Sequence, residues 1–159
     1  MTSPTSRLYF IGAGHIAAHH LQAAHELLPD AAIHASDPNA DALRAFAALD
    51  SRVVTHDSLD AMLASPSSTG DIAIICTPPR FHEQLTLLAL ASGRNVLCEK
   101  PFAMTVQQAE RMRTAAQAAG LMLHSCGNRF MDTPGMRHAK RVYQSGEPVQ
   151  ERTRRCRRT

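Results

Sequence analysis

No apolar run in the sequence reaches the roughly 18 residues that a membrane-spanning helix needs, so no span is expected. Residues 1–7 are short and polar and lack the apolar stretch of a secretory signal, and a cytoplasmic location is the expectation. The four cysteines, Cys76, Cys98, Cys126 and Cys156, stand far apart and form no Cys-x-x-Cys pair. That spacing speaks against a disulfide framework or a zinc site and for reduced, mostly buried thiols. Internal repeats are absent. A basic body is absent too, despite a net charge of +3. Residues 151–159 hold five arginines and one glutamate, which leaves the first 150 residues at −1. A nucleic-acid-binding body would carry its own basic surface, and the arginine tail has no interleaved aromatics, so neither membrane nor nucleic acid is expected as a partner.

What is present is organised around residues 8–17. Four apolar residues, Leu8, Tyr9, Phe10 and Ile11, run into Gly12 and Gly14, and the small Ala17 follows three positions later. That order reads as buried strand, tight turn and helix, the dinucleotide-binding fingerprint. Gly12 can take the turn's backbone angles. Gly14 lets a pyrophosphate approach the main chain, and Ala17 lets the helix lie close on the strand. The free amides at His15 and Ile16 then face the phosphates, aided by the helix dipole. An ordinary turn before a helix is the other reading of the same residues.

The rest of the chain supports a doubly wound parallel α/β sheet. Apolar or β-branched segments at 31–35, 53–54, 71–76, 95–98 and 121–125 alternate with helical patterns after each. Asp37 lies 23 residues after Gly14, near the acidic position expected about 20 residues on. A carboxylate there accepts hydrogen bonds from ribose hydroxyls and repels a 2′-phosphate; it could equally cap the following helix. The nearest following arginine is Arg44, so NAD is favoured over NADP. Thr77-Pro78-Pro79 and Glu99-Lys100-Pro101 break the fourth and fifth strands at the ends where such sheets bind ligands. Thr105 with Gln108 forms a capping box, and Gly120 stops that helix. His15 and His19 share one helix face with no glutamate completing a zinc-protease pattern, so packed or exposed histidines are expected and no metal.

Together these residues resemble the glucose–fructose oxidoreductase, inositol dehydrogenase and MocA (Gfo/Idh/MocA) family. The resemblance rests on Gly12 to Ala17, His19 or His20, Asp37, Thr77-Pro78 with His82, Glu99-Lys100-Pro101, and Asn128-Arg129-Phe130. It extends from about Leu8 to Gly146; Pro79 departs from the family's usual polar residue. It implies a Rossmann domain at 7–127, a connection at 128–147 toward a substrate domain that this sequence lacks, and a basic tail at 148–159. It also implies that Lys100 lies near the nicotinamide and the substrate, where an ammonium can polarise an oxygen; a surface lysine is the plain alternative. The resemblance also counts Glu99, with Lys100, among the cofactor-binding residues; the Glu99 side chain either orients Lys100 or ends the strand. Arg129 either holds cofactor or substrate or is a rim charge. His82 either contacts the cofactor edge or caps and packs its helix.

The family's acid–base pair comes from the second domain. The activity implied is oxidation of a sugar or polyol CH–OH group, with this chain catalytically incomplete by itself and full-length relatives as homo-oligomers. Residues 148–159 match nothing in the family, as a coding region read out of frame or a truncation would. A stand-alone NAD-binding regulatory or partner-binding module without hydride transfer is the alternative function.

Overall fold

The computed structural model describes residues 6–128 and 134–145. The chain divides into a unit of residues 1–127 and a second unit beginning at Asn128. In the first, six strands form one parallel sheet: β1 (Arg7–Ile11), β2 (Ala32–Ser36), β3 (Val53–Thr55), β4 (Ile72–Ile75), β5 (Asn95–Cys98) and β6 (Leu123–Ser125). Their spatial order is β3-β2-β1-β4-β5-β6, so the chain reverses direction across the sheet beside β1. Five helices connect them: α1 (His15–Leu27), α2 (Ala40–Ala47), α3 (Leu59–Leu63), α4 (His82–Ala91) and α5 (Val106–Ala119). In the second unit the described element is α6 (Pro134–Ser145).

Each face of the sheet carries its own core because strand side chains alternate. Leu8 and Phe10 of β1 point to one side, with Ala17, Leu21 and Ala24 of α1, Ile33, Phe46 and Ile74. Tyr9 and Ile11 point to the other, with Met62, Ile75, Leu90, Val96 and Met112. Ala17 has no exposed surface, as close seating of α1 on β1 requires.

The expected element ends move by a residue or two. The second strand begins at Ala32 and reaches Ser36, and the last begins at Leu123. The capping box is as expected: Thr105 Oγ1 accepts from the Gln108 amide, Gln108 Oε1 accepts from the Thr105 amide, and Gly120 ends α5 in the left-handed region.

At the amino-terminal edge of the sheet lies a buried polar cluster with no counterpart in the sequence motifs. Asp71 accepts from Arg7 Nε and Nη2 at 3.0 and 2.7 Å and from the Ser68 amide and hydroxyl. Burial works to raise the Asp71 carboxyl, but these donors outweigh it and hold it below the ordinary range. Arg94, also without exposed surface, lies 4.2 Å over the Tyr9 ring and donates to the Leu63 and Ser65 carbonyls.

Candidate functional site

The carboxyl ends of β2 and β4 flank the turn between β1 and α1, and the end of β5 meets α1 at His20. Gly12 donates its N–H to Ser36 O at 3.0 Å, and Cys76 donates to Ile11 O at 2.8 Å, so the turn is pinned to both neighbouring strand ends. Gly12 has φ +95°, and a Cβ there would lie 2.8 Å from the Cys76 carbonyl oxygen and 3.0 Å from Thr77 Cγ2. The fold itself demands glycine at 12. Gly14 differs. Its φ of −78° and ψ of −173° are open to any residue, and a Cβ would meet nothing within 4 Å. The space in front of Gly14 is open.

Gly14 also caps α1 without a side-chain hydrogen bond, and the first turn of α1 holds no acidic residue. Gly14, His15 and Ile16 are exposed, and their amides meet no hydrogen-bond partner among the described residues. Helix amides of this kind carry partial positive charge and suit an anion.

Asp37 stands just past β2, half-buried. Its Oδ2 accepts from the Ala13 amide at 2.8 Å and its Oδ1 from the Asn39 amide at 2.7 Å. The carboxylate therefore ties the glycine turn to the turn after β2. The helix-cap alternative for Asp37 does not hold: Asn39 caps α2, its Oδ1 accepting from the Asp41 and Ala42 amides. Arg44 is paired with Asp41 on the same exposed helix.

Past β4 and β5, two loops are clasped together by His82. This ring has no exposed surface. Its Nε2 lies 2.8 Å from Thr77 O and its Nδ1 2.9 Å from Pro101 O. Both nitrogens face main-chain carbonyls, to one of which a neutral ring donates; of the two roles weighed for His82, cofactor contact and packing, the geometry fills packing, and the expected direct cofactor contact is corrected because the ring is enclosed. Pro78 is exposed. Thr77 is half-buried, and its Oγ1, itself buried, has no hydrogen-bond partner. This hydroxyl is a buried unsatisfied polar group beside the glycine turn, with Thr77 Cγ2 against Gly12.

Lys100 is exposed, while its neighbour Glu99 is buried. Glu99 Oε2 accepts from the Lys100 main-chain N–H at 2.8 Å, and Oε1 meets His20 Nε2 of α1 at 2.8 Å. Burial works to raise the Glu99 carboxyl, but the hydrogen bonds from His20 and the Lys100 amide hold it below the ordinary range. Glu99 therefore fixes the backbone from which the exposed Lys100 projects. Cys126, in the 3₁₀ turn after β6, brings its thiol to 3.9 Å from His20 Nε2. Burial, with Glu99 nearby, pushes that thiol up to about 12. His15 and His19 face each other at 3.2 Å between Nε2 atoms on the exposed side of α1. Arg129 and Phe130 lie outside the described residues.

Sequence reasoning placed His20 and Glu99 in separate motifs and missed that they meet across 79 positions. The available signal was topological: in a sheet ordered β1-β4-β5, the first helix passes the end of the fifth strand.

The family described as an oxidoreductase family with an NAD-binding Rossmann fold, GFO_IDH_MocA, matches residues 6–126. An inositol 2-dehydrogenase of Klebsiella pneumoniae is 35% identical over 144 residues, covering 89% of this chain and 42% of that protein. A D-glucoside 3-dehydrogenase of Escherichia coli is 34% identical, covering 86% of this chain and 39% of that protein. Among solved structures, the WlbA dehydrogenase of Chromobacterium violaceum, in complex with NADH and UDP-GlcNAcA, superposes with a TM-score of 0.78 at 27% identity. That match covers 91% of this chain and 41% of the other. The chain thus spans about two fifths of the length of the relatives it matches. It belongs to the Gfo/Idh/MocA oxidoreductase family and carries that family's NAD-binding Rossmann domain.

Proposed function

We propose that the chain holds NAD in preference to NADP and is the cofactor-binding part of an oxidoreductase acting on a CH–OH group of a sugar or polyol. Its Rossmann domain is assigned to residues 7–127, the connection toward a substrate domain to 128–147, and a basic tail to 148–159. The observation that carries the cofactor choice is Asp37. Its two oxygens are held by the Ala13 and Asn39 amides, which fixes the carboxylate and leaves its outer lone pairs for ribose hydroxyls. A 2′-phosphate would meet this negative charge, and Arg44, the nearest following arginine, is already paired with Asp41.

The residues present fit a dinucleotide. The open space at Gly14 admits a pyrophosphate, and the unpartnered amides of Gly14, His15 and Ile16 hold it. Thr77, against the glycine turn, and the exposed Pro78 bound the site on that side. His82 acts at one remove, by fixing the Thr77 and Pro101 carbonyls. Arg129 is assigned to the cofactor or substrate edge by its motif. A dinucleotide held by these residues would supply the hydride acceptor for the substrate carbon. The chain's own contribution is to orient: Glu99 sets the Lys100 backbone, and the Lys100 ammonium holds the substrate oxygen and favours charge developing there. The substrate class rests on the relatives, named as dehydrogenases of inositol and of glucosides.

Amide NMR of the labelled chain titrated with NAD tests the site. Shifts concentrated at Ala13 to Ala17, Asp37 and Thr77 are expected; shifts confined to other strand ends would overturn the assignment.

A further inference from the structure

Glu99 is a buried carboxylate whose ion-pair partner is an imidazole, that of His20. A buried carboxylate is ordinarily paired with a cation or bound to a metal. Glu99 is 7% exposed, and no lysine or arginine forms an ion pair with it among the described residues. Its side-chain neighbours are His20 Nε2 and the thiol of Cys126. These three groups come from α1, the end of β5 and the turn after β6, and their ligand atoms all lie within 4.8 Å of one another.

The set is chemically mixed: imidazole nitrogen, carboxylate oxygen and sulfur. Hard cations such as magnesium and calcium take oxygen ligands and do not select it. Zinc-class cations bind all three donor types, at about 2.0–2.3 Å in tetrahedral geometry. Those bond lengths put neighbouring ligand atoms about 3.2–3.7 Å apart. His20 Nε2 stands 2.8 Å from Glu99 Oε1, inside that range's lower limit, and 3.9 Å from the sulfur, just beyond its upper limit, so side-chain shifts of a few tenths of an ångström bring these two pairs to bonding geometry. A cation entering the cluster replaces the His20–Glu99 hydrogen bond. It leaves Glu99 Oε2 on the Lys100 amide.

We propose that His20 Nε2, Glu99 Oε1 and Cys126 Sγ form a binding site for a divalent cation of the zinc class, with the fourth coordination position open. The site lies apart from the amides and Asp37 assigned to the dinucleotide, and it shares Glu99 with the Lys100 position. Its test uses no nucleotide, so it can fail while the assignment of the dinucleotide site stands.

Cobalt(II), a spectroscopic stand-in for zinc, is titrated into the full chain, with a phosphine keeping the thiols reduced. Thiolate-to-cobalt absorption in the near ultraviolet is expected, removed by one equivalent of zinc and lost in Cys126→Ser. His20→Gln is expected to weaken binding by about tenfold or more, as loss of a ligand does. The exposed His15–His19 pair offers only nitrogen and cannot produce that band. A second measurement needs no variant: zinc protects Cys126 of the unaltered chain from alkylation, followed by peptide mass spectrometry. No near-ultraviolet band, a band retained in Cys126→Ser, or alkylation of Cys126 unchanged by zinc would each overturn the site and leave a hydrogen-bonded cluster only.

Discussion

Replacing Gly12 by alanine puts a methyl group 2.8 Å from the Cys76 carbonyl oxygen, on a backbone held at φ +95°. The positive φ costs about 1–2 kcal/mol for a residue with a Cβ. Forcing the extra carbon against main chain costs about 1–3 kcal/mol more. The sum, about 2–5 kcal/mol, is a large part of the about 5–15 kcal/mol that stabilises a domain. For a domain of this size each kcal/mol moves Tm by about 3–6 °C, so a fall of at least about 6 °C is expected. Replacing Gly14 by valine has a different balance. The backbone there is ordinary extended chain, and the new side chain points into open space. Valine is a poorer helix cap than glycine, by about 0.5–1.5 kcal/mol, and restricting the unfolded chain returns about 0.4–1 kcal/mol. Tm therefore stays within about 5 °C. Dinucleotide binding falls by at least about tenfold, because the methyl groups fill the space assigned to the pyrophosphate. Thermal unfolding by circular dichroism and titration of NADH fluorescence read the two effects separately. Normal NADH binding by Gly14→Val would refute the phosphate site, and normal melting of Gly12→Ala would refute the account of the turn.

Two further outcomes are expected. Asp71 and Glu99 titrate below the ordinary carboxylate range in the folded chain, and burial holds His34 below the ordinary histidine range. Groups depressed on folding stabilise above their unfolded pKa, so stability is full near neutral pH. It is lost first as pH falls through the histidine range and again through the carboxylate range; urea midpoints that do not fall with acid would contradict this. Second, the 159-residue chain assayed alone with NAD against polyols and aldoses is expected to show no turnover above background. Hydride transfer needs a base placed beside Lys100 to take the hydroxyl proton, a contribution of about 10²–10⁴-fold; robust turnover dependent on Lys100 would contradict that reading.

The sheet was legible because its signals are local. Residues 8–11 and 72–75 are apolar without interruption, as strands covered on both faces must be. The two glycines, the Thr105–Gln108 box and Gly120 each act within a turn of their own position. Side-chain pairing across the sheet was not legible. His82 read equally as contact or packing because the carbonyl of Pro101, 19 residues on, had no signature in sequence. Asp37 read as either ribose acceptor or helix cap, and Asn39, two residues later, is the cap. The cluster of Arg7, Tyr9, Asp71 and Arg94 went unseen for the same reason: its members lie on β1 and in the loops that enter β4 and β5, joined only by the parallel register.

The central claim, that a fixed carboxylate at Asp37 selects the cofactor, is tested most directly by titrating the chain with NADH and with NADPH side by side, before and after Asp37→Ala. A charge-assisted hydrogen bond of about 1.5–3 kcal/mol is at stake, about 10–150-fold in affinity. The account predicts tighter binding of NADH by the unaltered chain, and a gap that narrows in Asp37→Ala because NADH weakens while NADPH is relieved of repulsion. Equal or tighter binding of NADPH by the unaltered chain would contradict it.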